Sequence, residues 1–443
     1  MSTPAARACR SPPCLCNGSA SGTVAPVPAP RDETRDELRD ELRPPSSSPA
    51  RQAHLREANL VLALDRIARA ASPISRAGIS AETGLTRATS SSLVDILIAA
   101  GLVRETRRSA RGGVGRPATG LELDPQGPAG LGLELNVDYA AVCIVDFSGA
   151  VRHLEVVEGD FRDTGPAEVF RRLADLAQDA RDATGLGLHA ATLAIPGLVR
   201  APYGPLQLAP NLGWSDLDVL ALAHEQPLLS TLELTVDNDG NLAALAEMSE
   251  SGHVDALLIS GEIGVGGGIV LDGRLFRGRH GWSGELGHVA VVPDGPQCKC
   301  GARGCLEQFA GHDAIRRAAG VPMSPGTSLG GTPTASHLLA LAEEGDGATL
   351  AALERAGWAL GVAVSGALNL LDIDLVKLAG IYRDLAPWIA PALEREIAER
   401  VLAAPWSRPT VVPARVGAEA AVLGAARSVV DRVRSNPARW VAG

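Results

Sequence analysis

From His54 to Val103 apolar residues recur at helical spacing. Leu55, Leu60, Leu64 and Ile67 form one stripe, which ends near Ala70-Ala71-Ser72-Pro73. Ser75 is placed to cap a second, short helix closing at Gly84. Thr86 is placed to cap a third, with Leu93, Val94 and Leu97 inward and its end at Gly101. A stretch rich in Arg and Gly follows and closes at Pro117. Helix, turn, helix and a glycine-arginine hairpin is the layout of a winged helix-turn-helix over residues 51–118. One position resists the pattern: Ser90 stands where an apolar residue is expected inside the third helix.

Beyond Leu121 the period alternates between strand and helix. Leu131–Leu135 and Ala141–Phe147 read as consecutive strands, Val169–Ala183 as an amphipathic helix and Ala191–Ile195 as a buried strand. A second block starts at Asp237, with helix Gly240–Ser249 and strand Ala256–Ser260. A glycine-rich turn Gly261–Gly268 and strand Ile269–Leu271 follow, with later strands at Leu375–Ala379 and Thr410–Pro413. The expectation is an α/β body of two lobes with a cleft between them. Residues 119–237 make the first lobe, completed by a C-terminal helix at about 418–435, and residues 238–417 the second. Residues 1–50 are rich in Pro, Ser and Ala without periodicity and read as a disordered tail.

Charge divides the chain in the same places. Residues 51–120 carry eleven Arg against five acids, a balance of +6. The tail is neutral and the total is −10, so residues 121–443 carry −16. An acidic body repels DNA, and nucleic-acid contact is confined to the basic module. Lysine occurs only at 299 and 377, a bias of composition rather than of chemistry. No apolar run approaches the roughly 18–20 residues of a membrane span. The first fifty residues lack a secretory pattern, so a cytoplasmic, nucleoid-associated protein is expected.

Three of the seven cysteines cluster in CKCGARGC: Cys298, Cys300 and Cys305. Zinc prefers thiolate and imidazole in a closed tetrahedral set, and His288 is the available fourth ligand. Gly301 and Gly304 let the chain turn tightly around an ion. Asn238 and Asp239 follow a strand, Glu285 and His288 precede the cysteines, and Glu307 comes just after them. Carboxylates and amides of this kind accept from and donate to the adjacent hydroxyls of a sugar, with the metal loop fixing His288 and Glu307.

The string GWSGELGHVAVVPDGPQCKCGARGCLEQFAG (Gly281–Gly311) resembles the signature of the ROK family of repressors, open reading frames and kinases. The resemblance extends to Ile195–Val199, Asn211–Trp214, Val236–Glu247 and Gly264–Gly278. LREANLVLAL (Leu55–Leu64), the helix-turn-helix and Gly115–Pro117 resemble the repressor branch. It implies an actin-like, hexokinase-type two-lobed fold with a structural zinc and a sugar held by Asn238, Asp239, Glu285, His288 and Glu307. The family's kinases carry Asp-x-Gly-Gly-Thr after the first strand, where this chain reads Glu134-Leu135-Asn136-Val137-Asp138. Their Gly-Thr-Gly loop is Glu262-Ile263-Gly264 here, and an expected glycine pair is Ala379-Gly380. Phosphoryl transfer needs glycines and hydroxyls around the phosphates, so no ATP is expected, and Asp239 would be the catalytic base only if the chain were a hexose kinase.

The expectation is therefore a sugar-responsive repressor, a homodimer or homotetramer, bound to double-stranded operator DNA. Arg107, Arg108, Arg111 and Arg116 of the wing are candidates for phosphate contacts. Thr86, Arg87, Ser91 and Ser92, outward on the third helix, are candidates for base edges. A sugar kinase with aberrant loops, or a DNA-binding protein whose body only dimerises, are the alternatives.

Overall fold

A computed structural model of the chain describes residues 50–107, 119–162, 164–252, 255–322 and 333–441. The expected tail and the tip of the expected wing lie outside these residues. Three helices open the described chain: α1 (Ala50–Ala68), α2 (Arg76–Thr83) and α3 (Arg87–Ala99). Ser75 Oγ accepts from Gly78 N and caps α2, which ends at Gly84. Thr86 Oγ1 accepts from Thr89 N and caps α3. Strands β1 (Val103–Arg107) and β2 (Thr119–Leu123) pair antiparallel, in register from Val103 opposite Leu123 to Arg107 opposite Thr119. Arg76 ties the module together: its guanidinium bonds Asp95 of α3 at 2.6 Å and Glu105 of β1 at 3.1 Å. Leu60, Leu64 and Ile67 are buried as expected, but Leu55 is 62% exposed. The stripe on α1 starts one turn later than its sequence suggests, because among the described residues no apolar cluster extends beyond Leu60.

The body holds two five-stranded sheets. The first has the order β10-β6-β3-β4-β5, built from β3 (Ala129–Leu135), β4 (Tyr139–Val145), β5 (Val151–Glu158), β6 (Leu188–Ile195) and β10 (Glu233–Asn238). Helix α4 (Pro166–Thr184) covers one face, where Leu131, Leu133, Val142 and Ile144 meet Val169, Phe170 and Leu173. The short strands β7 (Leu198–Val199), β8 (Leu206–Ala209) and β9 (Trp214–Leu217) and helix α5 (Val219–His224) join β6 to β10. Strand period two puts the intervening residues of β4 on the other face.

The second sheet has the order β13-β12-β11-β14-β15: β11 (Ala256–Gly261), β12 (Val265–Leu271), β13 (Arg274–Leu275), β14 (Leu375–Gly380) and β15 (Thr410–Pro413). Gly266–Gly268, expected in a turn, lie in β12; the turn is only Glu262–Gly264. Before β11 runs α6 (Asp239–Ser251). Four further helices follow β13: α7 (Glu307–Ala310), α8 (His312–Ala318), α9 (Pro333–Glu343) and α10 (Gly347–Leu371). Then come α11 (Ile381–Asp384), α12 (Ala386–Arg400), α13 (Ala420–Ser435) and α14 (Ala438–Val441). Helices α10 and α12 bury Leu257, Ile259, Val376 and Leu378 on one face of the second sheet. Leu258, Val270 and Ala379 point the other way, toward α6 and α13.

Helix α13 joins the parts. It packs on α6 and on β3, β6 and β4. Val422, Ala426, Val430 and Val433 belong to the same apolar cluster as Tyr139, Ala141, Cys143 and Val145 of β4 and Phe147 beyond it. That cluster also contains Leu60, Leu64, Ile79, Leu93, Val94 and Leu97 of the three opening helices. None of the described helices is long and apolar enough to cross a membrane.

Candidate sugar cleft and metal centre

A cleft opens between the two sheets, lined from both of them. All five residues expected to hold a sugar line it: Asn238, Asp239, Glu285, His288 and Glu307. Asn238 ends β10 and caps α6, with its Oδ1 accepting from Asn241 N and its Nδ2 donating to Gly197 O at 3.1 Å. Its side chain is thus engaged within the protein. Asp239 opens α6, and its Oδ1 accepts from Gly240 N at 2.8 Å. Burial and the neighbouring Asp237 raise its carboxyl above the ordinary aspartate range. The same burial, with Asp239 and Glu307 close by, pushes Glu285 up to about 7.

Glu307 is placed by the loop that precedes β12. Its Oε2 accepts from Val265 N at 3.3 Å. A Cβ on Gly264 would stand 2.2 Å from that oxygen, so only glycine lets the carboxylate rest there. Asn211 also lines the cleft, with Nδ2 close to the same glycine. Sequence reading left it out, although it opens the Asn211–Trp214 segment. Asp237 was missed as well: Arg277 grips its Oδ2 at 2.6 and 3.0 Å, while Oδ1 accepts from Asn238 N and Asn241 Nδ2. It sets the turn from β10 into α6.

The four expected metal ligands converge. One ligand atom each from His288, Cys298, Cys300 and Cys305 lies within 4.8 Å of the others. Cys300 Sγ and Cys305 Sγ are 3.7 Å apart, and Cys298 Sγ is 3.9 Å from His288 Nδ1. With Zn–S at about 2.3 Å and Zn–N at about 2.0–2.1 Å, a tetrahedron has edges of roughly 3.6–3.8 Å, so the donor set fits zinc in spacing and in chemistry. Gly304 turns the loop at φ +68°, where a Cβ would meet Val292 O at 1.6 Å. Burial and the adjacent thiols push Cys305 up to about 12, a cost that a divalent cation removes by holding thiolates. His288 turns its other nitrogen, Nε2, toward Glu285 Oε2 at 3.9 Å. Imidazole and Glu307, which follows Cys305 by two residues, couple the metal loop to the cleft wall.

At the phosphate-loop positions the chain holds a polar network. Asn136 Nδ2 donates to Glu262 Oε2 at 2.5 Å, and lies 3.2 Å from the Tyr139 hydroxyl. That hydroxyl donates to Glu134 Oε1 at 2.5 Å. Burial pushes Glu134 up to about 8, and raises Glu262 well above its ordinary range with help from Glu134 and Asp239. Val137 and Glu262 line the cleft. Asp138, which ends the segment standing where the family's kinases carry Asp-x-Gly-Gly-Thr, turns inward: it is 2% exposed and neither carboxylate oxygen has a partner among the described residues. The acid that faces the phosphate position is Glu262.

The model of the ROK family matches residues 130–432. The chain belongs to the ROK family. It is 27% identical over 391 residues to the xylose repressor of Bacillus subtilis strain 168, covering 86% of this chain and 97% of that one. Among solved structures, a ROK family transcriptional regulator described as a homologue of the E. coli MLC protein matches with a TM-score of 0.72 at 27% identity. That match covers 88% of this chain and all of the other. A ROK glucokinase from Streptomyces griseus, in complex with glucose and AMPPNP, matches with a TM-score of 0.57 at 26% identity, over 68% and 98% of the two chains. The hexokinase-type fold of the ROK body is thereby established. The match to the regulator takes in the helices before residue 130, which have the order of a winged helix-turn-helix.

In that module Thr86, Arg87 and Ser92 are exposed and Ser91 is half-buried. The Thr86 hydroxyl is occupied by its cap, and Ser91 O accepts from Arg76. Ser90 is fully buried and its Oγ has no partner, which bears out the departure seen in the sequence. Arg108, Arg111 and Arg116, and the side chain of Arg107, fall outside the described residues.

Proposed function

We propose that this ROK protein is a sugar-responsive, DNA-binding transcriptional regulator, acting as a repressor and not as a kinase. One observation carries the reading: the sugar-facing acids converge on the cleft while the phosphate-loop position presents Glu262. A neutral polyol gains hydrogen bonds from Asp239, Glu285, His288 and Glu307. A triphosphate meets a carboxyl, and the Val265 N–H that would serve it already donates to Glu307.

In this reading His288, Cys298, Cys300 and Cys305 hold a structural zinc, which cross-links the loop carrying His288 to the residues before Glu307. Arg87 and Ser92 reach base edges in the major groove, joined by Ser91 and by the methyl side of Thr86. Arg107, Arg108, Arg111 and Arg116 grip phosphates of operator duplex. Two or four copies present paired modules, and cleft closure on sugar shifts their spacing.

The test is paired. Purified full-length protein is screened with monosaccharides by thermal shift, where a native-state ligand raises the melting temperature. Sugar affinity is then measured with and without operator DNA; the two must be coupled by the same factor in both directions. Identical sugar affinities would leave the body without a regulatory role. The second reading, a sugar kinase, draws on the retained Asp239 and the likeness to a glucokinase. Sugar-dependent ATP turnover that vanishes in Asp239→Asn would establish it instead.

A further inference from the structure

We infer that the cleft selects against phosphorylated sugars, so that the effector is the free sugar as it stands before any kinase has acted on it. The inference rests on the reading of the cleft as a sugar site and goes on to name the chemical class. Four lining residues are acids: Asp239, Glu262, Glu285 and Glu307. Among the described residues, no lysine or arginine lines the cleft. The stretches of the body outside the description, 163, 253–254 and 323–332, contain neither residue in their sequence. Arg277, which reaches the start of α6, is committed to Asp237 through two hydrogen bonds.

Anion binding needs either a cation or open backbone N–H groups. The N–H groups at the two edges of the loop Glu262–Gly264 are taken. Val265 N donates to Glu307, and Glu262 N donates to Gly264 O at 3.0 Å. The N terminus of α6 is likewise taken, by Asn238 Oδ1 at Asn241 N and Asp239 Oδ1 at Gly240 N. Two carboxylates, one amide oxygen and one carbonyl thus take four N–H donors along the cleft. Asp239, Glu262, Glu285 and Glu307, with no basic side chain among the described lining residues, leave the space with an excess of acidic groups. A neutral hydroxyl adds nothing to that excess, whereas a phosphate ester adds nearly two charges.

The consequence is a place in a reaction sequence. The protein responds to substrate arriving for phosphorylation, and an ATP-dependent sugar kinase consumes its effector.

The experiment uses full-length protein at physiological salt. Calorimetry compares glucose, N-acetylglucosamine and xylose with glucose 6-phosphate, N-acetylglucosamine 6-phosphate and xylose 5-phosphate. The expected result is that a free sugar binds and its ester binds at least tenfold more weakly. Glu262→Gln keeps the acceptor for Asn136, removes one ionisable carboxyl, and should narrow that ratio at least twofold. An ester that binds as tightly as its parent sugar overturns the inference and leaves the sugar site standing. A ratio unchanged in Glu262→Gln, in protein that still binds the free sugar, refutes the charge argument. If no sugar binds in either form, the sugar reading itself falls and takes this inference with it.

Discussion

Replacing Gly264 with alanine tests the geometry of the cleft through a residue that has no side chain of its own. The added methyl would stand 2.2 Å from Glu307 Oε2 and 3.4 Å from Asn211 Nδ2. The second distance is ordinary van der Waals contact, but the first is about 1 Å too short. Glu307 Oε2 is the free end of a flexible side chain, so the carboxylate yields rather than the backbone. It leaves Val265 N, and with it the position from which, in the proposed reading, it accepts a sugar hydroxyl. Losing one charge-assisted hydrogen bond costs about 1.5–3 kcal/mol, or roughly 10- to 150-fold in Kd. Global stability should change by less than about 1 kcal/mol, because Gly264 has an ordinary φ and the displaced carboxylate can reach solvent in the cleft. The assay is sugar titration by calorimetry beside urea denaturation, on Gly264→Ala and Glu307→Ala in parallel. Both variants should lose affinity to a similar degree and remain folded. Undiminished sugar affinity in Gly264→Ala, with a clear loss in Glu307→Ala, would refute the claim that this glycine positions the carboxylate.

Metal analysis should find about one zinc per chain, and chelation or Cys298→Ser should lower the melting temperature of the body. Lys377 Nζ and Glu247 Oε1 form an ion pair at 2.5 Å, both side chains being almost wholly buried. Lys377→Met strands the carboxylate and should cost about 3–5 kcal/mol in urea denaturation, part of it recovered by adding Glu247→Gln. Ser90→Ala removes an unpartnered buried hydroxyl and should stabilise the chain by about 1 kcal/mol, read as a higher denaturation midpoint. Burial raises Asp138 from 3.8 to about 7. A raised acid contributes stability below its unfolded pKa and loses it as pH climbs through the folded one. The melting temperature should therefore fall between about pH 4 and 7, and Asp138→Asn should flatten that slope.

Features set by neighbouring residues were legible in the sequence. Ser75 and Thr86 cap helices because a cap needs only a hydroxyl and an N–H three residues on. The cysteine run gave the metal set because a ten-residue loop and the glycine at 304 bring its ligands together. The five residues that line the cleft as expected came with the family signature. What escaped reading depends on distant pairings. Asn136 meets Glu262 across 126 positions, and Lys377 meets Glu247 across 130. No local pattern announces either. Asp138 was misplaced for a related reason: a turn between β3 and β4 can aim its third residue into the cleft or behind it, and only the packed sheet decides. Leu55 continues a helical stripe in sequence, yet among the described residues no partner surface extends that far.

The apolar cluster under the opening helices has a practical consequence for protein engineering. A repressor head with its own sealed core could be cut off and grafted onto another effector body as a cassette. Here Leu60, Leu93 and Leu97 share one apolar cluster with Tyr139, Cys143 and Phe147 and with Val430 and Val433 of α13. Those residues stand up to about 370 positions downstream, beyond any boundary drawn near residue 118. A chimera joined at that boundary would meet a foreign floor and leave the native one bare to water. Transplanting the proposed DNA-binding module of this chain therefore means carrying over one face of a strand and one face of the last long helix, or confining the exchange to the exposed positions of α3.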